Sequence, residues 1–169
     1  MFDGAVLGVD PGTAAMGLAG VIGDGRRIRV AWADTLRTPP GLPPGERLRR
    51  IYAAVREATV RVGAEAVAVE RLMWGRNTGS AMEVARASGV VLLAAADGAI
   101  PVEEYAPLEV KMAVTGVGNA TKEQVRRCLV RVLRVEGVPE EPNAADAVAV
   151  AVCHLQQSTM RGLVGSTGR

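Results

Sequence analysis

Three acidic residues that lie far apart in the sequence could act together on a metal ion or a phosphate. Asp10 follows an apolar run and precedes a Pro-Gly pair, Glu70 ends a second apolar run, and Asp146 lies in an alanine-rich helical segment. Carboxylate oxygens are the ligands that hard cations such as Mg²⁺ prefer. Since an unpaired carboxylate is costly to bury among alanines, Asp146 in particular needs a partner. We expect the three side chains to form one site.

The segments around these acids predict a series of strands and helices. Apolar runs predict strands at 4–10, 16–21, 28–34, 64–70 and 100–105, with a Gly-Asp-Gly turn between the second and the third. Helical periodicity predicts an amphipathic helix after the proline-rich stretch 39–44, and further helices at 79–97, 107–116, 121–135 and 143–157. The acids therefore fall at the ends of two strands and near the start of the last helix.

The composition predicts one α/β domain with an aliphatic core. We place this domain at 1–157 and a flexible tail, rich in Gly, Ser and Thr, at 158–169. Hydrophobic residues make up 49% of the 169 residues but aromatic residues only 3%, which is typical of buried Val, Ala and Leu strands. The longest apolar run, 90–96, is too short to span a membrane. Because Cys128 and Cys153 lack CxxC spacing and follow no signal peptide, we expect reduced cysteines in a cytoplasmic protein.

The charge balance directs attention to two lysines. The net charge is only +2, so any binding to an acidic polymer must depend on a local patch. Nearly all basic residues are Arg, and Lys occurs only at Lys111 and Lys122. Thr121 and Gln124 form a predicted capping box, which places Lys122 in the first turn of a helix. The free N–H groups and the dipole at such a position favour a phosphate.

Six short motifs, taken in order, resemble one known family. They are Gly8-Val9-Asp10-Pro11-Gly12, Val69-Glu70-Arg71, Val110-Lys111, Val114-Thr115-Gly116-Val117-Gly118, Thr121-Lys122-Glu123-Gln124-Val125 and Ala144-Ala145-Asp146-Ala147. Together with the order of the elements, they resemble the RuvC family of Holliday-junction resolvases over residues 4–155. The resemblance implies a ribonuclease H-like fold of the α/β class, with a five-stranded mixed sheet flanked by helices.

The resemblance also implies an activity and its participants. It implies an endonuclease that resolves four-way (Holliday) DNA junctions in recombination and repair. Asp10, Glu70 and Asp146 would hold two Mg²⁺ ions per subunit, for which Mn²⁺ substitutes, and Lys111 and Lys122 would contact phosphate beside them. Such ion pairs activate water and stabilise the leaving oxygen. The chain would act as a homodimer and together with the RuvA–RuvB branch-migration complex.

The predicted helix at 79–97 is our candidate for the dimer interface. Its apolar surface exceeds what one sheet can cover, and the small side chains of Ala81, Ala85 and Ser88 would permit close approach. A two-fold axis through this helix would relate two active sites, as symmetric cutting of a junction requires.

Asn143 departs from the family pattern, in which this position is usually Asp and in some members His. It lies three residues before Asp146 and therefore shares a helix face with it. The oxygen of an amide can bind Mg²⁺, but the amide removes one negative charge from a site for two dications. We therefore expect weaker metal binding and slower cleavage, and an increase of about tenfold or more in cleavage upon Asn143→Asp.

The segment after Glu70 contains the candidate DNA-binding residues, which are Arg71, Met73, Trp74, Arg76 and Asn77. A large apolar pair in a loop, Met73 and Trp74, suits a wedge that stacks on bases at the junction centre. Anchoring in the core is the alternative interpretation. His154, about 12 Å along the helix axis from Asp146, is interpreted as a packing residue.

Other functions stay open at this point. Because of Asn143, the chain could bind junctions with little or no cleavage, or a ribonuclease H-like fold could process RNA or RNA–DNA hybrids. An actin-like or sugar-kinase phosphotransferase can also carry an Asp-x-Gly-Thr loop, but that fold needs two such domains and this chain has room for one. The wedge and lysine motifs favour the resolvase.

Overall fold

Residues 3–72 and 78–166 are described by the computed structural model. In chain order, their elements are β1 (Asp3–Asp10), β2 (Ala15–Asp24), β3 (Ile28–Arg37), α1 (Pro44–Val62), β4 (Ala66–Glu70), α2 (Thr78–Asp97), β5 (Val102–Tyr105), α3 (Pro107–Thr115), α4 (Lys122–Arg131) and α5 (Pro142–Ser166). None of the helices within these two ranges combines the length and the apolar character that crossing a bilayer requires.

The five strands form one mixed sheet in the order β3-β2-β1-β4-β5. The first three strands are antiparallel neighbours, whereas β4 runs parallel to β1 and β5 runs parallel to β4. The predicted α/β class and five-stranded mixed sheet are confirmed. Because β1, β4 and β5 run parallel, their carboxyl ends lie at one edge of the sheet.

Side chains alternate between two packed faces along the central strand β1. Leu7 and Val9 belong to a buried cluster with residues of α1 and α2, whereas Val6 belongs to a second cluster that is dominated by α5. Successive side chains of a strand point to opposite faces. Asp10 is therefore on the same face as Val6, the face that α5 covers.

Two glycines allow α5 to lie directly on this face of the sheet. A Cβ atom on Gly8 would overlap the carbonyl oxygen of Ala147, and a Cβ atom on Gly17 would overlap that of Asn143. Gly17 is also the cross-strand partner of Asp10. The first turns of α5 therefore lie in close backbone contact with β1, which carries Asp10, and with the neighbouring strand β2.

Several element ends differ from the predicted ones. β2 and β3 extend past the predicted ends at 21 and 34, because backbone pairing continues through Gly23 and Asp24 in β2 and through Thr35 and Arg37 in β3, residues that interrupt the apolar pattern. α4 stops at Arg131 rather than near Val135, and Arg134 has a positive φ of 53°. α5 continues to Ser166, although Gly, Ser and Thr in this segment predicted a helix end at Gln157.

Candidate active site

Asp10 and Glu70 end two neighbouring strands on one face of the sheet. β1 and β4 are parallel, with Val9 paired to Val69, so that the two acids occupy the next position of each strand. Both side chains are partly buried. Their carboxyl groups share a hydrogen bond. The parallel register therefore brings together two acids that are sixty residues apart in the sequence.

Asp146 reaches the same place from α5, and Lys122 reaches it from α4. The Lys122 ammonium donates to Oδ2 of Asp146, whose side chain is only 21% exposed. The charges of both residues act on Asp10 and on Glu70. The predicted capping box at the start of α4 is confirmed, with reciprocal bonds between Thr121 and Gln124 of 2.8 and 3.2 Å.

Burial and mutual repulsion hold a proton in this cluster. Loss of hydration, followed by the negative charge of Asp10, raises the pKa of Glu70 to about 8. The pKa of Asp10 is also raised, first by burial and then by the charge of Asp146. The hydrogen bond to Asp146 raises the pKa of Lys122. Two carboxyl groups this close cannot both ionise cheaply, so the pair shares a proton near neutral pH.

The chemistry of the donor set fits a hard divalent cation. Asp10, Glu70 and Asp146 offer carboxylate oxygens, the ligands that a hard cation prefers. Across the described ranges, no three acidic, His or Cys side chains are spaced to hold an ion as they stand. In this arrangement Asp146 is paired with Lys122, and Asp10 with Glu70. Metal binding would therefore require release of the shared proton and of the Lys122 contact.

Glu141 is a residue at this site that the sequence analysis did not single out. It immediately precedes α5, and its negative charge contributes to the raised pKa of Asp10. Its carboxylate accepts a hydrogen bond of 3.0 Å from the amide of Asn143. The sequence signal for Glu141 was its position directly before Pro142, the first residue of a helix. Acids are favoured at helix starts, and Pro is favoured at the first helical position.

For two of the predicted residues, Lys111 and Arg71, the structure records contacts with other groups. Lys111 is partly buried on α3, where its carbonyl oxygen accepts a bond of 2.8 Å from Thr115. Arg71 directs its guanidinium to the carbonyl oxygen of Glu104 at 3.1 Å and to the carboxylate of Glu109 at 3.9 Å. Their roles at phosphate and at DNA stay predictions.

The remaining predicted DNA-binding residues, Met73, Trp74, Arg76 and Asn77, lie outside the described residues. His154 is buried in α5, with Nδ1 2.9 Å from the hydroxyl of Tyr105, as expected of a packing residue. Cys128 and Cys153 are both free thiols.

The sequence of this chain matches a known protein family. The family model described as "Crossover junction endodeoxyribonuclease RuvC" matches residues 6–154. A protein of that name from Moorella thermoacetica is 48% identical over 149 residues, which cover 88% of this chain and 89% of that protein.

Solved structures agree with the sequence match. The structure of Thermus thermophilus RuvC in complex with a Holliday junction substrate superposes with a TM-score of 0.85 at 36% identity, covering 93% of this chain and 96% of that one. The yeast mitochondrial Holliday junction resolvase, at 10% identity and a TM-score of 0.68, shares the fold. The chain belongs to the RuvC family of crossover junction endodeoxyribonucleases.

Proposed function

We propose that this chain is an endonuclease that resolves four-way DNA junctions by metal-dependent hydrolysis of phosphodiester bonds, in recombination and repair. The observation that carries the proposal is the convergence of Asp10, Glu70 and Asp146, with Lys122 among them, at the carboxyl edge of the parallel strands. Family membership supplies the substrate class, since the Thermus thermophilus relative was solved with a Holliday junction.

The three acids are the proposed metal-binding residues, with Asn143 as a further oxygen donor. When bound, two Mg²⁺ ions, or Mn²⁺ in their place, would supply activation of water and stabilisation of the leaving oxygen. Asp10 and Glu70 contribute by giving up the proton that they share. Lys122 stands at a helix start, beside an open cleft of about 330 Å³ that Asp146 also lines. A phosphate in this cleft would replace Asp146 as the partner of the ammonium.

A cleavage assay on synthetic DNA tests the proposal. A labelled four-way junction, a linear duplex and an RNA–DNA hybrid are incubated with the protein in Mg²⁺, in Mn²⁺ and in EDTA. We expect paired cuts in the junction alone, only with a metal, and abolished by Asp10→Asn while junction binding persists. Preferential cutting of the hybrid would contradict the proposal and favour an RNA-processing nuclease.

A junction-binding protein with little cleavage is the second candidate, and Asn143 is the observation that favours it. An amide at this position supplies less negative charge to the metal site than the usual carboxylate. The same assay separates the candidates at saturating protein. Tight junction binding without cuts in either metal would favour the binding protein.

We also propose that the chain forms a homodimer through α2 and that it contacts the junction through the segment after Glu70. Support for the dimer comes from a stripe on α2 that is apolar or small and exposed, consisting of Met82, Ala85, Gly89, Leu93 and Ala96. Of the small residues that the sequence suggested for this face, only Ala85 belongs to the stripe, because Ala81 and Ser88 are buried.

We assign Met73 and Trp74 as the wedge at the junction centre, with Arg71, Arg76 and Asn77 beside it. The expected cytoplasmic location rests on the cysteine pattern of the sequence, and the expected cooperation with RuvA–RuvB rests on the family alone.

A further inference from the structure

Glu141 makes an unusually complete set of contacts for a surface carboxylate. Oε1 accepts hydrogen bonds from Nη2 of Arg37 at 2.8 Å and from Nδ2 of Asn143 at 3.0 Å. Oε2 accepts from the hydroxyl of Thr35 and from the backbone N–H of Ala144 at 2.8 Å. Each oxygen thus accepts two bonds, which uses the acceptor capacity of a carboxylate in full.

The position of Glu141 relative to the acids follows from the sheet. Asp10 is paired with Gly17, and Gly17 is paired with Thr35, so these residues form one row across three strands. Residues paired across strands direct their side chains to the same face. Thr35 and Asp10 therefore both lie on the face that α5 covers, and Glu141 binds to the Thr35 end of that row.

We propose that Glu141 is a positioning residue that sets the orientation of the Asn143 amide, so that its oxygen and not its nitrogen is available to a cation at the acids. Only the NH₂ group of an amide can donate to a carboxylate. A flipped amide would place its oxygen against Oε1 of Glu141, which Arg37 already holds in place as an acceptor. The proposal deepens, and depends on, the proposed function of the site.

The same contact makes positions 141 and 143 interdependent. With Glu at 141, an amide at 143 completes a hydrogen bond, whereas a carboxylate at 143 would face another carboxylate. Asn143→Asp alone therefore adds a ligand charge and a repulsion together. In the double variant Glu141→Gln with Asn143→Asp, one amide and one carboxylate again face each other, so the repulsion between two carboxylates is absent.

The test is a double-mutant cycle on Mn²⁺ binding, measured by electron paramagnetic resonance of the free ion without DNA. We expect Glu141→Gln to weaken Mn²⁺ binding by about tenfold, as is usual for residues that orient metal ligands. The matched control is Glu140→Gln, which removes the same charge one residue earlier from a side chain that is 98% exposed. The control should change Mn²⁺ binding by less than about twofold, because the Glu140 charge is exposed to solvent and screened by salt.

The double variant should bind Mn²⁺ about tenfold more tightly than the two single changes predict together, a departure from additivity that is expected of contacting residues. Melting temperatures identify variants that fail to fold. In that case Thr35→Val, which removes one bond to the Glu141 carboxylate but keeps its charge, should weaken Mn²⁺ binding about threefold.

Two outcomes would overturn the role of Glu141, namely equal Mn²⁺ affinities for Glu141→Gln and Glu140→Gln, or an additive cycle. If the Asp10→Asn variant cuts the junction as the unmodified protein does, the proposed function is overturned instead. The two failures are therefore distinguishable.

Discussion

Asp10 and Glu70 share a hydrogen bond at the point where two parallel strands end side by side. A bond between two carboxyl groups requires that one of them keeps its proton. Burial supplies the cause, because it disfavours the charged form of both acids. The site therefore stores a repulsion that a divalent cation would relieve, and this has measurable consequences for the protein without metal.

The stability of the metal-free protein should fall as the pH rises. Between the ordinary value of 4.5 and the folded-state pKa of about 8, Glu70 keeps a proton in the folded chain that the unfolded chain has released. The folded state binds more protons, so stability decreases with pH in this window. Glu70→Gln should remove this slope and gain about 2 kcal/mol or more at pH 8.5, since each tenfold change in proton affinity corresponds to about 1.4 kcal/mol.

Urea unfolding in EDTA at pH 5.5, 7.0 and 8.5 measures the effect. Glu57→Gln is the control, because its carboxylate is exposed and pairs with Arg61 across one helical turn. Parallel slopes for Glu70→Gln and the unmodified protein would contradict a protonated Glu70.

Lys122→Ala should impair cleavage far more than folding. The lysine side chain is 73% exposed, and an ion pair in such a setting contributes at most about 1 kcal/mol to stability. Its charge, however, lies at the acids and at the start of α4, where a phosphate is expected. We expect at least about a tenfold loss in single-turnover cleavage, equivalent to about 1.4 kcal/mol.

The matched control for this loss is Arg127→Ala, which removes an exposed cation from the same helix. If the two variants cut equally fast in the same single-turnover assay, Lys122 has no role at the phosphate.

The strand ends and the α4 start were predictable from the sequence because their signals are local. Asp10 and Glu70 each close an apolar run, and the capping box around Lys122 spans four residues. The Glu141 network was not predictable, because its partners Thr35 and Arg37 lie more than one hundred residues away. Only the pairing of β3 with β2, and of β2 with β1, brings them to the start of α5, and one sequence carries no signal for that register.

Gly17→Ala should displace α5 and thereby damage the site. A Cβ atom at this position would overlap the carbonyl group of Asn143, which belongs to a helix backbone and cannot rotate away. We expect a loss of about 2–3 kcal/mol in stability, as for overpacking of a core. We also expect slower cleavage at temperatures where the variant is folded.

Gly45→Ala is the control for Gly17→Ala, since a Cβ atom added at Gly45 would meet nothing within 4 Å. It should leave stability within about 1 kcal/mol of the unmodified protein, the size of a Gly-to-Ala change in a helix. An unfolding curve for Gly17→Ala that matches the control would show that the close packing of α5 is not needed.

Trp74→Ala should reduce the distortion of the bound junction and leave the stability of the fold unchanged. As a wedge, Trp74 should support junction distortion, measured by fluorescence transfer between labelled arms, while the melting temperature stays nearly constant. Trp32→Ala is the contrasting variant, because Trp32 packs on a buried cluster with the Arg61 guanidinium 5.2 Å from its ring centroid. A loss of about 3 kcal/mol in stability for Trp74→Ala would instead assign it to the core.

Leu93→Asp should convert the dimer to a monomer. Leu93 is 55% exposed within the apolar stripe on α2, and the stripe is continued by Ala85 and Gly89, which permit two helices to approach closely. A charge introduced into a two-fold interface appears once on each subunit, and the two like charges would oppose association, so association should weaken by at least about tenfold. Leu108→Asp is the matched control, because Leu108 is 60% exposed on α3, away from the stripe. Light scattering at micromolar concentration should report a dimer for the control and a monomer for Leu93→Asp, with paired junction cuts replaced by single nicks. If both variants remain dimeric and cut both strands together, the subunits associate through another surface.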